Sequence, residues 1–403
     1  MIIGFDGSRA FATNKTGTEN YSYQLLSYLA KIDHQNQYLV YLRPGTQGDA
    51  LRGWPQNFKF ITIPSPRLWT QFGLAKQTFL DRDLDILFVP SHTLPLIRCP
   101  GLKTVVTVHD LGAEYLPQTH QIKQRLYLKF MTDYQIKSAT HLIAVSQATK
   151  DDLIKKVGVP AEKISVVYEG YNEKLFRPAK TDTLNTILKQ FELKPQEYFL
   201  FVGTIQPRKN LERLIKAYSE VFVGDGKWGA PLSARNETRT SNGAASRQDP
   251  QKQPKLVLAG SKGWLSEEIY VLPKKLGIET SVKFLGYVPD EKLPALYTGA
   301  KAFLFPSLFE GFGLPILEAF ACKCPVLTSN ISSMPEVAGD ATLLINPYSE
   351  EEITQGIERL ATDEKLRNRL VKEGQKQLKK FSWEKAASQT LEVLKKAVGN
   401  TNF

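Results

Sequence analysis

Residues 303–327 read FLFPSLFEGFGLPILEAFACKCPVL, and their order decides the fold. The run Ala302 to Pro306 is apolar and β-prone, and Gly311, Phe312 and Gly313 form a glycine-bearing turn. Pro315 stands where a helix's first turn tolerates proline, because its missing N–H would have no intrahelical acceptor. The pattern predicts a strand, a tight turn and a helix start. Two carboxylates, Glu310 and Glu318, flank the turn with seven residues between them. The N–H groups of such a helix end, backed by the macrodipole, attract anions, and glycines let a phosphate approach the backbone closely. A carboxylate repels phosphate, so Glu310 and Glu318 suit hydroxyl groups on either side of it. Sugar hydroxyls, diphosphate and ribose hydroxyls, in that order, are the layout of a nucleotide sugar.

Outward from this stretch, short apolar and β-branched runs alternate with longer helical periods. Ile2 to Phe5, Tyr38 to Leu42, Phe58 to Ile63, Ile86 to Pro90, Thr104 to His109, His141 to Val145 and Ile164 to Tyr168 read as buried strands. Helical spacing falls between several of them, as at Tyr21, Leu25, Tyr28 and Leu29. The pattern restarts with Tyr198 to Gly203, Leu256 to Ala259, Val282 to Leu285, Ala302 to Phe305, Val326 to Thr328 and Thr342 to Ile345. The helix after the first of these is marked by Leu211, Leu214, Ile215, Tyr218 and Phe222. Such alternation implies largely parallel sheets covered on both faces. At 403 residues the chain exceeds one ordinary core. The expected fold is therefore α/β: two Rossmann-like, doubly wound domains, with ligand at the carboxyl ends of the strands in an inter-domain cleft. Residues 1–175 form the first domain, joined by a closing helix within 382–403, and residues 176–381 the second. Residues 224–254 are polar and aperiodic, and are expected to be a disordered insertion without a catalytic role.

The pattern FPSxxEGFGLPxLEAxAxxxPV resembles the donor site of the retaining family 4 glycosyltransferases of GT-B fold. The resemblance runs from MIIGFDG to FSWEKA, apart from the insertion, and is of the bacterial, mannosyltransferase-like kind. It implies that Glu310 contacts the transferred sugar, that Glu318 holds the ribose, and that the turn of Gly311, Phe312, Gly313 and Leu314 meets the diphosphate. It also implies that the closing helices return to pack on the first domain.

Three further constellations follow. In FVGTIQPRKN, residues 201–210, Arg208 and Lys209 stand just before a helix beginning near Asn210. Two cations beside a diphosphate stabilise the charge that develops on the leaving group. The family carries a lysine matched by Lys209, whereas its more typical arginine directly after the glycine is Thr204 here, so Arg208 is expected to substitute. In VVTVHDLG, residues 105–112, His109 leaves a strand at its carboxyl end, where it can meet a sugar hydroxyl or a backbone carbonyl. Asp110 is a candidate for acceptor activation, and His92, after another strand, for lining the acceptor side. In the first β-α loop Gly17, carried over as a donor-binding residue, lets donor or acceptor approach the backbone. There the family's second glycine and arginine are replaced by Glu19 and Asn20. Asp83 and Asp85, in DRDLD, match the carboxylate pair with which a different glycosyltransferase architecture holds a metal. They precede a strand at its amino end, away from the expected cleft, and no metal site is expected.

The implied activity is retaining transfer of a hexose from a nucleotide diphosphate sugar to a hydroxyl acceptor, without metal or cofactor, the nucleotide sugar being a substrate. HDL and PRKN together resemble mannosyltransferases of surface polysaccharide assembly, so GDP-mannose leads and UDP-glucose is second; the acceptor is a glycan or a lipid-linked sugar. A sugar phosphorylase or epimerase on the same fold would need a phosphate or water nucleophile. An inactive nucleotide-sugar-binding protein would show damage at Lys209, Glu310 or Glu318, and none is seen.

The net charge of +11 invites anionic partners. No zinc-finger spacing occurs and the aromatics are not interleaved with basic residues, so no nucleic acid partner is expected. Cys99, Cys322 and Cys324 form neither a disulfide framework nor a zinc spacing, which suits a reducing cytoplasm. No apolar run approaches the roughly 18 residues of a membrane span, and no secretory h-region opens the chain. The expected location is cytoplasmic, with peripheral association at the inner face of the membrane as the alternative. Residues 121–137 carry Lys123, Arg125, Lys129 and Lys137 beside Leu126, Tyr127, Phe130 and Met131, a mix suited to an anionic membrane surface. The other reading is a half-buried helix with the stripe Ile122, Leu126, Phe130 and Tyr134 facing inward.

Overall fold

The structure is a computed structural model, and it describes residues 1–12, 17–46, 48–65, 68–91, 93–111, 133–222 and 253–399. The chain divides into two compact units, Met1–Gly170 with Phe381–Phe403, and Tyr171–Lys380.

The first unit holds β1 (Ile2–Asp6), β2 (Gln37–Leu42), β3 (Phe58–Thr62), β4 (Ile86–Val89), β5 (Lys103–Val108), β6 (His141–Ala144) and β7 (Ile164–Val166). They form a parallel sheet in the order β3-β2-β1-β4-β5-β6-β7. The second unit holds β8 (Tyr198–Val202), β9 (Lys255–Ala259), β10 (Val282–Gly286), β11 (Ala302–Phe305), β12 (Val326–Ser329) and β13 (Leu343–Ile345). Their order is β10-β9-β8-β11-β12-β13, again parallel. Both sheets are the doubly wound, Rossmann-like arrangement expected. Every expected strand forms, with ends displaced by one or two residues. Strands such as β4, ILFV, and β11, AFLF, are buried along their whole length, as parallel strands covered on both faces must be.

Each sheet reverses its winding once, between β1 and β4 and between β8 and β11. At such a reversal the loops leaving two neighbouring strands diverge, which opens a crevice at their carboxyl ends. The positions of β8 and β11 thus bring the 203–210 and 306–313 loops side by side.

The helices cover the sheets with the expected faces. Leu211–Phe222 buries Leu211, Leu214, Ile215, Tyr218 and Phe222. Gly17–Ile32 buries Tyr21, Leu25 and Leu29, whereas Tyr28 lies at the edge of that face and carries the Lys31 ammonium over its ring, 3.6 Å from the centroid. The closing helix Trp383–Val398 packs on Gly17–Ile32 and on β4, β5 and β6, which makes it part of the first unit. Its entry is tight: a Cβ on Gly170 would lie 2.1 Å from the Trp383 nitrogen, so only glycine fits there. The division falls at Gly170, five residues before the expected 175; beyond both positions Phe176 packs edge-on against Tyr297 at 6.2 Å and the Ala179 N–H donates to Thr298 Oγ1 at 3.0 Å, within the second unit.

Cys322 and Cys324 are buried free thiols, in keeping with packing roles. The insertion 224–254 lies outside the described residues except for Gln253 and Pro254, and so does the 121–137 segment up to residue 132. Within the described remainder of that segment, Tyr134 is 47% exposed while Ile136 is fully buried, so the inward stripe assigned to Tyr134 belongs to Ile136 instead. Among the described residues no helix is long and apolar enough to cross a membrane.

Candidate active site

In the second unit, β8 ends at Val202 and the chain runs through Gly203 into a short 3-10 turn, Pro207–Lys209. Asn210 then takes a left-handed conformation, φ 60°, which asparagine adopts at lower cost than most residues. Its amide is fixed from both ends: Nδ2 donates to Pro306 O at 3.1 Å and Pro347 O at 2.7 Å, and Oδ1 accepts from Arg213 at 2.9 Å. Leu308 N–H donates to Arg208 O at 2.8 Å, which ties this turn to the loop after β11. The helix starts at Leu211, one residue beyond the expected start near Asn210.

Between the two loops lies an ion cluster. Lys209 Nζ donates to Glu310 Oε1 at 2.5 Å, and Arg208 Nη1 donates to Glu310 Oε2 at 3.0 Å and to Phe309 O at 3.0 Å. Lys209 and Glu310 are buried, with side chains 8% and 10% exposed, while the Arg208 side chain is 33% exposed. Burial pushes the Glu310 carboxyl up, but Lys209 and Arg208 outweigh it and hold it below the usual carboxylate range. Glu310 is therefore an ionised carboxylate with one oxygen facing each cation. The sequence nominated these three side chains separately, the glutamate for a sugar and the cations for a diphosphate; the structure brings all three together.

The turn after Glu310 ends at Gly313, whose φ of 110° favours glycine and which caps the helix Leu314–Ala321 with Pro315 in its first turn. Phe312 is buried, so its side chain serves packing and only its backbone borders the turn; Gly311 and Leu314 are half-buried. Glu318, one turn into the helix, accepts a hydrogen bond from the Tyr297 hydroxyl at 3.0 Å. Burial raises its carboxyl to about 7, against the opposing effect of the tyrosine. Among the described residues no group of histidine, cysteine and carboxylate side chains is arranged to hold a metal. Asp85 instead accepts from the Ile2 N–H at 2.7 Å, securing the amino end of β1.

In the first unit His109 follows β5. Its Nε2 lies 2.9 Å from Pro90 O and its Nδ1 3.3 Å from Glu169 Oε1. Both partners accept only, so the imidazolium, with a proton on each nitrogen, satisfies the pair. Burial would lower the His109 pKa; the Glu169 carboxylate and the Pro90 carbonyl outweigh it and raise the pKa. The ring that was expected to offer a nitrogen to a sugar hydroxyl thus has both nitrogens engaged inside the unit. The edge-on ring of Tyr21, 4.6 Å away, completes its setting. Asp110, next along, is half-buried. Gly17 opens its helix with open space around its α-carbon, as an approach to backbone requires. His92 lies outside the described residues.

Glu169 and Tyr297, which the sequence did not nominate, contact the candidate residues His109 and Glu318. Glu169 is 60 positions from His109 and meets it only because β6 and β7 extend the sheet from β5.

A profile described as Glycosyltransferase Family 4 matches residues 15–175, and one described as Glycosyl transferases group 1 matches residues 243–377. The O-antigen chain mannosyltransferase B of Escherichia coli is 32% identical over 293 residues, 73% of this chain and 70% of the relative. The serotype-specific mannosyltransferase WbdA of the same organism is 29% identical over 297 residues, 72% of this chain but only 33% of that longer relative. Among solved structures, the sucrose-phosphate synthase of Thermosynechococcus elongatus superposes with a TM-score of 0.72 at 19% identity, covering 98% of each chain, which is a likeness of fold. With two doubly wound units, matches to both halves and a relative of this identity and coverage, the chain belongs to the family 4 glycosyltransferases of GT-B fold.

Proposed function

We propose that this glycosyltransferase moves a hexose, with mannose first and glucose second, from a nucleotide diphosphate sugar to a hydroxyl of a glycan or lipid-linked acceptor, with retention of anomeric configuration and without a metal, in surface polysaccharide synthesis. The single observation that carries the reading is the Arg208, Lys209 and Glu310 cluster at the β8–β11 reversal, beside a glycine turn that opens a helix. A buried carboxylate facing two cations is a ready exchange site: an incoming diphosphate competes for the cations and frees the carboxylate for sugar hydroxyls. As the glycosidic bond breaks, negative charge grows on the diphosphate, and fixed cations stabilise that charge without reorganising. Arg208 and Lys209 take that role, the Gly311 to Leu314 turn holds the diphosphate, and Glu318 accepts from the ribose hydroxyls. The second unit is then the donor unit.

The first unit is the acceptor unit in this proposal, with His109 contributing a fixed positive charge, Gly17 an open backbone approach, and His92 and Asp110 as acceptor contacts. The mannose preference is supported by the relatives' names, both O-chain or serotype mannosyltransferases. No nucleic acid partner is proposed; peripheral association with an anionic membrane face is. Incubation of the full chain with GDP-mannose and, separately, UDP-glucose tests the donor by release of nucleoside diphosphate, and product NMR reads the anomer. Release from neither donor, or an inverted product, refutes the proposal. A thermal-shift panel of nucleotide sugars adds an independent reading, because ligand at about 100 times its dissociation constant adds roughly 2.7 kcal/mol. Sedimentation with phosphatidylglycerol vesicles at low salt tests the membrane association, which is dropped if the protein stays in the supernatant.

A further inference from the structure

The short helix Met334–Ala338 begins with Ser333 at its N-cap, yet that side chain makes no cap bond. N-cap serines normally accept from a backbone N–H two or three residues on, and Ser146, Ser349 and Ser382 do so in this chain, whereas Ser266, like Ser333, donates to a carbonyl instead. The fully buried Ser333 hydroxyl is turned the other way. It is shared between two carbonyls of the glycine turn, Phe312 O at 2.7 Å and Glu310 O at 2.9 Å. Its neighbour Ser332 takes a left-handed backbone, φ 58°, and donates to Glu310 O at 2.7 Å while accepting from Glu310 N at 3.3 Å. Two consecutive serines on the loop after β12 thus grip the turn after β11, one of them without capping its own helix and the other in a conformation that costs a non-glycine residue energy.

A trans peptide is planar, with its C=O and N–H pointing to opposite sides. Fixing the Glu310 carbonyl towards the serines therefore turns the Gly311 N–H away from them, and fixing the Phe312 carbonyl does the same for the Gly313 N–H. Glycines would otherwise let these peptide planes rotate freely. We propose that Ser332 and Ser333 are positioning residues for donor binding, which take up the Glu310 and Phe312 carbonyls, fix the peptide planes of the turn and so present the Gly313 N–H to the donor's diphosphate. The inference rests on the donor reading above. It adds that the anion-binding geometry of the turn is imposed from β12, by side chains that never touch the donor.

The test is titration calorimetry of GDP and UDP with the full chain and four variants, alongside thermal unfolding and initial rates. Ser333→Ala removes the shared hydroxyl, and Ser333→Thr keeps one. Ser332→Gly removes the second hydroxyl while tolerating the left-handed backbone, and supplies the answer if Ser333→Ala does not fold. Thr328→Val is the control: its hydroxyl is equally buried and donates to a carbonyl, Phe305 O at 2.9 Å, but lies within the sheet and away from the turn. A lost hydrogen bond of ordinary strength that acts on ligand geometry is expected to weaken nucleoside diphosphate binding about fivefold to tenfold. The loss should appear in Ser333→Ala and Ser332→Gly, with KM raised more than kcat falls, be restored in Ser333→Thr, and be absent from Thr328→Val at a comparable loss of stability. Unchanged affinity in both hydroxyl-less variants, with wild type binding normally, overturns the positioning role and leaves the donor reading intact. Equal weakening in Thr328→Val assigns the effect to general stability and overturns it as well. Absence of nucleoside diphosphate binding in wild type overturns the donor reading and this inference together.

Discussion

Lys209→Ala tests the ion cluster on two independent readouts. The ammonium is 2.5 Å from Glu310 Oε1 and its removal leaves the buried carboxylate with Arg208 as its remaining cation, whose side chain is 33% exposed and so screened by water. Removing one partner of a buried pair costs about 3–5 kcal/mol, and the remaining arginine should reduce this to roughly 2–3 kcal/mol. The effect depends on pH in a definite direction. In wild type the Glu310 carboxyl is held below its unfolded value, so it contributes stability that is present above the unfolded pKa and lost as pH falls through the folded one. Without Lys209 the burial that already pushes this carboxyl up is opposed less, and its folded pKa rises. The stability gap between wild type and variant should therefore be largest near neutral pH and narrow as pH falls through about 4.5 towards the lowered wild-type value. On the catalytic side, loss of leaving-group stabilisation worth about 3 kcal/mol lowers turnover by roughly 150-fold. Urea unfolding across that pH range and initial rates with saturating donor measure the two effects. A stability gap independent of pH would refute the charge pairing, and near-normal turnover would place leaving-group stabilisation elsewhere.

Above pH 7, where the Glu318 carboxyl is ionised, Glu318→Gln is expected to weaken nucleoside diphosphate affinity by tenfold or more, since a charge-assisted hydrogen bond is worth about 1.5–3 kcal/mol; unchanged affinity in calorimetry there would remove Glu318 from the ribose. Because its carboxyl is raised to about 7, the folded protein binds a proton that the unfolded chain releases, so wild type should lose stability relative to Glu318→Gln as pH rises from about 4.5 to 7, and parallel stability curves would contradict this. Glu169→Gln should lower the His109 titration midpoint followed by NMR. Its stability loss should be largest at low pH, where the raised-pKa imidazolium is present in the folded state, and fade as pH rises through the wild-type His109 pKa; an unmoved midpoint would mean that Glu169 does not set the charge. Activity should persist in EDTA, and loss in chelator with rescue by magnesium or manganese would reopen Asp83 and Asp85 as metal ligands.

The strands were legible because a parallel strand covered on both faces must be apolar along its length, and no other element reads that way over four to six residues. Their ends slipped where the residue type continues but pairing stops: Pro90 has no N–H to pair, and His109 and Tyr168 turn their rings to partners off the sheet, Glu169 and Phe381. The site was legible in its parts and not in its pairing. Glu310 and Lys209 are 101 positions apart, and nothing local says that β8 and β11 are neighbours; that adjacency follows from the winding order, which the sequence pattern leaves open. Tyr134 was misplaced for a related reason, since its i, i+4 spacing from Phe130 is satisfied equally by a stripe one face round, and burial of Ile136 is decided by the sheet beneath. The serines of SNISSMPE look like an ordinary helix start, because an N-cap serine and a serine that donates away from its own helix have the same one-letter code. Only the position of β12 beside β11 distinguishes them, and that same adjacency lets the Ser333 hydroxyl reach the Glu310 and Phe312 carbonyls.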